Sequence, residues 1–468
     1  MRNLINKISL SIILLFTMNV LYAQSSIVDS LYSSMSLEEK IGQILMPRVS
    51  SEYMPVDARA TKKWQLAIDS VHVGGFIVHK GDVSDQWRLA NRLQNRSRLP
   101  LLLGADFENG TGSRYDHGTH FVTAMGIGAT SHPVNAYDAG KITALEARAL
   151  GVHLIFAPVA DVNTNPENII INYRSFGDDP VQVSRFVTSF IKGVQENGAI
   201  AVAKHFPGHG DVNKDSHLEL VIQEKSVIQW ESEELPPFKA AIEAGVGGIM
   251  SAHIAFPAMT GKRDVSTTMS KSVLTDLLRE KLYFKGLIIT DALNMGGIVN
   301  NYWAGEAALR AFLAGADILL MPMNLQATAR FLVQAVESGV INEERLAYSV
   351  KKILKIKQDL GLLENPLPVK DIWETVGMIR NRDLADSISA KSLTLVRNKS
   401  FDLPLRPNDK TEVVVFSNED GGKNVLEKFV KAMKHKLSEI NFPTTILIRG
   451  KIHGSHYSQT DNNHPDHQ

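Results

Sequence analysis

One stretch concentrates side chains that move protons or bind polar ligands: Lys204-His205-Phe206-Pro207-Gly208-His209-Gly210-Asp211, followed by Asp215-Ser216-His217. Pro207, Gly208 and Gly210 exclude a regular helix, so the segment reads as a loop leaving a strand. His205 and His209 have the i, i+4 spacing of a helical zinc site. Without a helix that spacing puts them on no common face, and no His-Glu-x-x-His motif occurs. We expect no metal and no cofactor; the competing role for the two histidines is structural hydrogen bonding. Asp215 next to His217 can fix the imidazole tautomer and raise its pKa, which suits a general acid near neutrality. A surface pair of no consequence has the same spacing. Asp291 ends the apolar run in Leu287-Ile288-Ile289-Thr290-Asp291-Ala292-Leu293-Asn294-Met295. It is either the N-cap of a following helix or a carboxylate held rigidly enough to act as a nucleophile.

Such groups need a rigid frame, and the surrounding pattern supplies one. Eight short apolar runs recur: Ile41–Met46, Val73–His79, Leu99–Ala105, Val152–Pro158, Ala199–His205, Val246–Ala252, Gly286–Asp291 and Gly315–Met321. Amphipathic stretches such as Asn135–Gly151, Val181–Gly198 and Lys271–Leu282 separate them. Runs that are apolar throughout suit parallel strands covered on both faces. Eight of them alternating with helices predict an α/β fold, a (β/α)8 TIM-type barrel, with a doubly wound open sheet as the competing arrangement. A barrel places its reactive groups at the C-terminal strand ends. Asp106, Asp161, Lys204-His205, His253 and Asp291 follow or close five of the runs.

Composition narrows the chemistry. The chain has 468 residues, 44% hydrophobic, with 50 Lys+Arg against 50 Asp+Glu and no cysteine. Zero net charge argues against a nucleic-acid partner bound through a basic face. Without cysteine there are no disulfides, thiolate nucleophiles or Cys-based zinc sites. Arg2 and Lys7, the apolar Ile8–Leu21 and Ala23 read as a signal peptide over residues 1–23, so export to the periplasm or beyond is expected. That stretch is interrupted by Ser9, Ser11, Thr17 and Asn19, and no membrane span is expected. Glu364-Asn365-Pro366-Leu367-Pro368 looks like a domain boundary. The barrel is therefore placed at 27–365, and a second α/β domain, begun and apparently truncated, at 380–450. That domain would hold a helix at Arg382–Lys391, strand-like Leu393–Val396, Glu412–Phe416 and Thr445–Ile448, and a helix near Val425–Ile440. A polar, aperiodic tail at 451–468 is expected to be disordered.

Four motifs together resemble glycoside hydrolase family 3, in its NagZ-like β-N-acetylglucosaminidase branch. They are Met35-Ser36-Leu37-Glu38-Glu39-Lys40-Ile41-Gly42-Gln43, Lys204–Asp211, Asp215-Ser216-His217 and Thr290–Met295. The resemblance implies a retaining glycosidase acting on oligosaccharides that end in N-acetylglucosamine, such as peptidoglycan fragments. Asp291 would be the nucleophile that forms a covalent glycosyl-enzyme, and His217 the acid/base, oriented by Asp215. Asp106, Arg114, Arg174, Lys204 and His205 would bind substrate: Asp106 by accepting from sugar hydroxyls, Lys204 and His205 by donating to them, and the arginines by reaching acidic or hydroxyl-rich groups. Salt bridges that stabilise loops are the competing role for both arginines. One departure stands out. The family's Asp-x-Glu-Gly-Gly reads here Asp106-Phe107-Glu108-Asn109-Gly110, so Asn109 is expected to take the left-handed turn that glycine supplies. Three other readings remain open. A β-glucosidase or β-xylosidase of the same family would carry Asp-Trp where this chain has Asp291-Ala292. A non-catalytic glycan-binding envelope protein could use the same frame. Phosphate could replace water as acceptor, because neutral imidazole repels an anion less than a carboxylate does.

Overall fold

The computed structural model describes residues 27–55, 57–212 and 218–395, and beyond them 411–417, 444–452 and 455–461. The eight predicted runs each contain a parallel strand. β1 is Leu45–Met46, resumed after Pro47 as Arg48–Val49. β2 is Gly75–Val78, β3 Leu102–Ala105, β4 Leu154–Ile155, β5 Ile200–Phe206, β6 Gly248–Ser251, β7 Leu287–Thr290 and β8 Leu319–Leu320. Every residue of β2, β3, β6 and β7 is buried, as strands covered on both faces require.

Pairing runs in chain order from β1 to β7. The sheet then curls until its edges meet. Leu45 and Met46 pair with Leu319 and Leu320. A parallel bridge joins Ile289 to Ile318, and Leu320 N–H donates to Thr290 Oγ1 at 2.9 Å. The chain thus forms an α/β barrel of eight strands ringed by helices, in place of an open doubly wound sheet.

Some boundaries differ from the pattern. Ile41 belongs to the helix Leu37–Gln43, which Ser36 and Glu39 close with a capping box. Its apolar side chain packs inward from that helix, so it extends the run without extending the strand. The proline break does not end the barrel unit, which runs to Leu393. Trp87 Nε1 donates to Val369 O at 2.7 Å, and Gly377 N and Asn381 Nδ2 each donate to the buried Glu146 at 3.0 Å. The helix Ile379–Ser392 buries Ala385 and Ile388. Pro366 and Pro368 therefore mark a turn within the unit, and the second unit starts at Thr394.

In that second unit β9 (Thr411–Ser417) pairs in parallel with β10 (Thr444–Ile452), and β11 (Ser455–Asp461) pairs antiparallel with β10. β11 lies where polarity suggested a disordered tail. A ladder is made by main-chain groups, which a polar sequence supplies as readily as an apolar one. Residues 393–395 are irregular where a strand was expected. The expected signal peptide, the helix near Val425–Ile440 and residues 462–468 lie outside the described residues. No helix among the described residues is long and apolar enough to cross a membrane.

A buried charge cluster ties the barrel's last strands to its helices. Asp317, fully buried, accepts from Ile288 N–H at 3.0 Å, Arg279 Nη2 at 2.5 Å and Ser349 Oγ at 2.5 Å, with Lys352 at 3.4 Å and Arg345 at 3.8 Å. Burial raises the carboxyl pKa, but Arg279, Lys352 and Arg345 more than reverse it, so the group is held below its ordinary value. Asp317→Asn is expected to cost about 3–5 kcal/mol at pH 7, because buried cations lose their partner. The contribution of a depressed carboxyl is present above its unfolded pKa near 4 and is lost as pH falls through the lower folded value. Thermal melts should therefore separate wild type and variant at pH 7 and converge in acid.

Candidate active site

The C-terminal strand ends surround a cavity of about 510 Å³, lined among others by Asp106, Glu108, Arg114, Arg174, Lys204, His205, His209, Asp291 and Met295. Every predicted substrate-binding residue and the predicted nucleophile therefore meet in one place. Asp215 and His217 lie outside the described residues.

Alternating charges build one wall. Arg174 grips Glu108 through both carboxylate oxygens, at 2.9 and 2.8 Å. Lys204 Nζ sits 2.6 Å from Glu108 and 2.8 Å from Asp106. Arg114 donates to Asp106 O at 3.1 Å, with a second nitrogen 3.7 Å from its carboxylate. Burial raises the Glu108 pKa, but Lys204 and Arg174 outweigh it and hold the carboxyl well below its usual range. Lys204 is pushed down by burial and raised further by Asp106 and Glu108, so it stays an ammonium. Two of its three N–H groups are engaged, which leaves one for a ligand hydroxyl.

His205 is held from behind. Its Nδ1 lies 2.7 Å from the fully buried Asp161, which also takes the main-chain N–H of His205 and of His209, the latter at 2.7 Å. Arg174 Nη2 approaches His205 Nε2 at 3.4 Å. A guanidinium only donates, so this network assigns the proton to Nδ1 and leaves Nε2 an acceptor. In this tautomer the Nε2 of His205, expected to donate, is an acceptor, whereas Lys204 keeps an N–H free to donate. The rings of His205 and His209 are 6.0 Å apart. Among the described residues no cluster of three or more His, Asp or Glu side chains is arranged to hold a metal.

Asp291 directly follows β7. Its N–H donates to Ser251 O at 3.2 Å, and its Oδ1 accepts from Ala292 N–H at 2.7 Å. Asp291 is not the N-cap of a following helix, since the next one, Gly296–Val299, has Met295 in that position; it lines the cavity instead. Burial raises its pKa, whereas His205, His253, the Ala292 N–H and Lys204 lower it to a net value below normal. Burial lowers the pKa of His253 itself. His253 Nε2 lies 3.1 Å from Ala292 O and fixes the residue after the carboxylate. Asp291 has no ion pair among the described residues, unlike Asp106 and Glu108.

Glu108 and Asp161 were not among the predicted site residues. Asp161 was visible as a strand-end carboxylate; Glu108 was visible only as the neighbour of Asp106 in its motif. The unusual backbone of that motif belongs to Gly110 (φ 83), not to Asn109. A Cβ on Gly110 would lie 2.4 Å from Thr119 O.

The site is thus a cavity at the mouth of an eight-stranded barrel, with Asp106 and Glu108 paired to cations and Asp291 making no ion pair among the described residues. Residues 36–356 match the family described as "Glycosyl hydrolase family 3 N terminal domain", and the chain belongs to that family. It is 30% identical over 426 residues to a β-N-acetylglucosaminidase/β-glucosidase of Cellulomonas fimi, covering 87% of this chain and 74% of the relative. It is 34% identical over 373 residues to β-hexosaminidase A of Pseudoalteromonas piscicida, covering 73% of this chain and 62% of that one. Its fold superimposes on a glycoside hydrolase family 3 β-N-acetylglucosaminidase from Paenibacillus sp. str. FPU-7 with a TM-score of 0.80, 31% identity and coverage of 89% and 80%. A β-glucoside phosphorylase, BglX, superimposes with a TM-score of 0.84, 27% identity and coverage of 91% and 77%.

Proposed function

We propose that the protein is a retaining β-N-acetylhexosaminidase that removes terminal β-linked N-acetylglucosamine from oligosaccharides. The observation that carries this is Asp291, lowered in pKa and without an ion pair among the described residues, in a cavity whose other carboxylates are bound to Lys204, Arg174 and Arg114. Asp291 attacks the anomeric carbon while His217, oriented by Asp215, protonates the departing oxygen. His217 then takes a proton from water, which displaces Asp291 and releases the sugar with its β configuration restored. Asp106, Lys204, His205, Arg114 and Arg174 hold the sugar ring.

The relatives named as hexosaminidases support the substrate class, and Asp291-Ala292 supports it against an Asp-Trp glucosidase. Relatives named as β-glucosidases make the comparison a direct one. Aryl N-acetyl-β-glucosaminides are expected to be cleaved with a kcat/KM at least about tenfold above the matching glucosides, a difference of ~1.4 kcal/mol. Equal rates would overturn the substrate class. His217→Ala should slow phenyl glycosides far more than dinitrophenyl glycosides, whose leaving group needs no proton.

A second reading is phosphorolysis, favoured by the likeness to a β-glucoside phosphorylase. A glycosyl phosphate among products formed in phosphate buffer would select it. Export, with peptidoglycan fragments as substrate, completes the proposal. Cell fractionation and release of N-acetylglucosamine from cell-wall digests test those two points.

A further inference from the structure

We propose that Lys225, outside the catalytic cavity, is a positioning residue. It fixes the end of the segment Pro207–Asp211 from which the chain continues into Asp215 and His217. The proposal rests on the acid/base role given to His217 above.

The segment after β5 has no regular structure of its own and is tied down point by point. Trp230 Nε1 donates to Pro207 O at 2.7 Å, and Asn168 Nδ2 to His209 O at 2.7 Å. Gly210 lies so close to the β4 loop that a Cβ there would meet Val162 O at 1.6 Å. At Asp211 main-chain and side-chain ties converge. Asn165 Nδ2 donates to its carbonyl at 2.8 Å, and Lys225 Nζ stands 3.8 Å from its carboxylate.

Lys225 is an uncommon residue to find there. Its side chain is 8% exposed, and its ammonium also reaches Glu233 at 2.7 Å, the fully buried Glu234 at 3.1 Å and Thr164 Oγ1 at 3.1 Å. One cation therefore joins the loop after β4, the loop after β5 and the helix Val227–Glu233. Glu234 supports the turn from the other side, since a Cβ on Gly208 (φ +126) would lie 2.6 Å from its Oε2. Burying such a cluster is costly, and apolar packing would stabilise the fold as well. What a charge cluster adds is a fixed geometry at Asp211. Lys225 does not line the catalytic cavity and Asp291 is held by other elements. Loss of Lys225 should therefore fall on proton donation to the leaving group and spare nucleophilic attack.

The test is the dependence of kcat/KM on leaving-group pKa, measured for wild type, Lys225→Met, Asp211→Asn and His217→Ala with a series of aryl N-acetylglucosaminides. Lys225→Met should lose at least tenfold on phenyl leaving groups and less than threefold on dinitrophenyl, the same steepening expected of His217→Ala. Lys225→Arg should restore the wild-type slope. Asp211→Asn, which leaves the Lys225 pairs with Glu233 and Glu234 in place, should steepen it too and keeps the test available if Lys225→Met does not fold. A uniform loss in Lys225→Met, or an unaltered slope in both Lys225→Met and Asp211→Asn, overturns the proposal. If His217→Ala itself leaves the slope unaltered, the acid/base assignment fails and the role of Lys225 falls with it.

Discussion

Asp291→Ala is expected to lower turnover of aryl N-acetylglucosaminides by about four orders of magnitude or more, ~5–6 kcal/mol of transition-state stabilisation, with the melting temperature close to that of wild type. The reason for so large an effect is that neither described carboxylate nearby can substitute. Asp106 and Glu108 are both bound to cations, and a carboxylate in an ion pair is a weakened nucleophile. Against burial, His205, His253, the Ala292 N–H and Lys204 hold the Asp291 pKa below normal, and it makes no ion pair among the described residues. The barrel should tolerate the change, because the strand beneath is secured by its pairing to β6 and by the Ile289–Ile318 bridge. Only the bond to Ala292 N–H is lost. Steady-state kinetics and a thermal melt of the same preparation test both halves. A variant that loses stability as well as activity would place Asp291 among the residues that hold the fold.

Glu108→Ala should harm both folding and binding. It removes the carboxylate between Lys204, whose side chain is 3% exposed, and Arg174. Two cations would then face each other at the cavity wall with only Asp106 nearby to balance them. Breaking a buried pair by deleting one partner costs about 3 kcal/mol or more. A displaced Lys204 also withdraws the ammonium proposed to donate to substrate, so KM should rise at least about tenfold where the fold survives. Glu108→Gln, which keeps the shape and can accept one hydrogen bond, should lie between. Denaturant melts and KM values decide the matter. Wild-type stability in Glu108→Ala would mean that Asp106 alone neutralises this wall.

The parts of this enzyme that were legible in the sequence are those with local causes. β2, β3, β6 and β7 are apolar at almost every position because helices cover them outside and side chains fill the barrel inside. The strand ends carry Asp106, Lys204 and Asp291 because that is where the cavity opens. What escaped depends on partners distant in the chain. Glu108 meets Arg174 across 66 residues and Lys204 across a wider gap, and no local pattern marks a carboxylate for two cations. The tautomer of His205 depends on Asp161 behind it and Arg174 beside it. Pro366 and Pro368 look like a domain end locally, yet Trp87 and Glu146 hold the following segment to the barrel. Asp215 and His217 were singled out by motif, since spacing alone also allows a surface pair.

The central claim is a covalent sugar on Asp291, and intact-protein mass spectrometry tests it most directly. Wild-type enzyme mixed with a slow fluorinated N-acetylglucosaminyl donor should gain the mass of one sugar, and proteolysis should place it on the peptide containing Asp291. Asp291→Ala should gain nothing. A wild-type enzyme that turns over ordinary substrate yet never carries the adduct, or carries it on another residue, would contradict the account. The first of those results would point instead to a reaction in which the substrate's own acetamido group forms the intermediate.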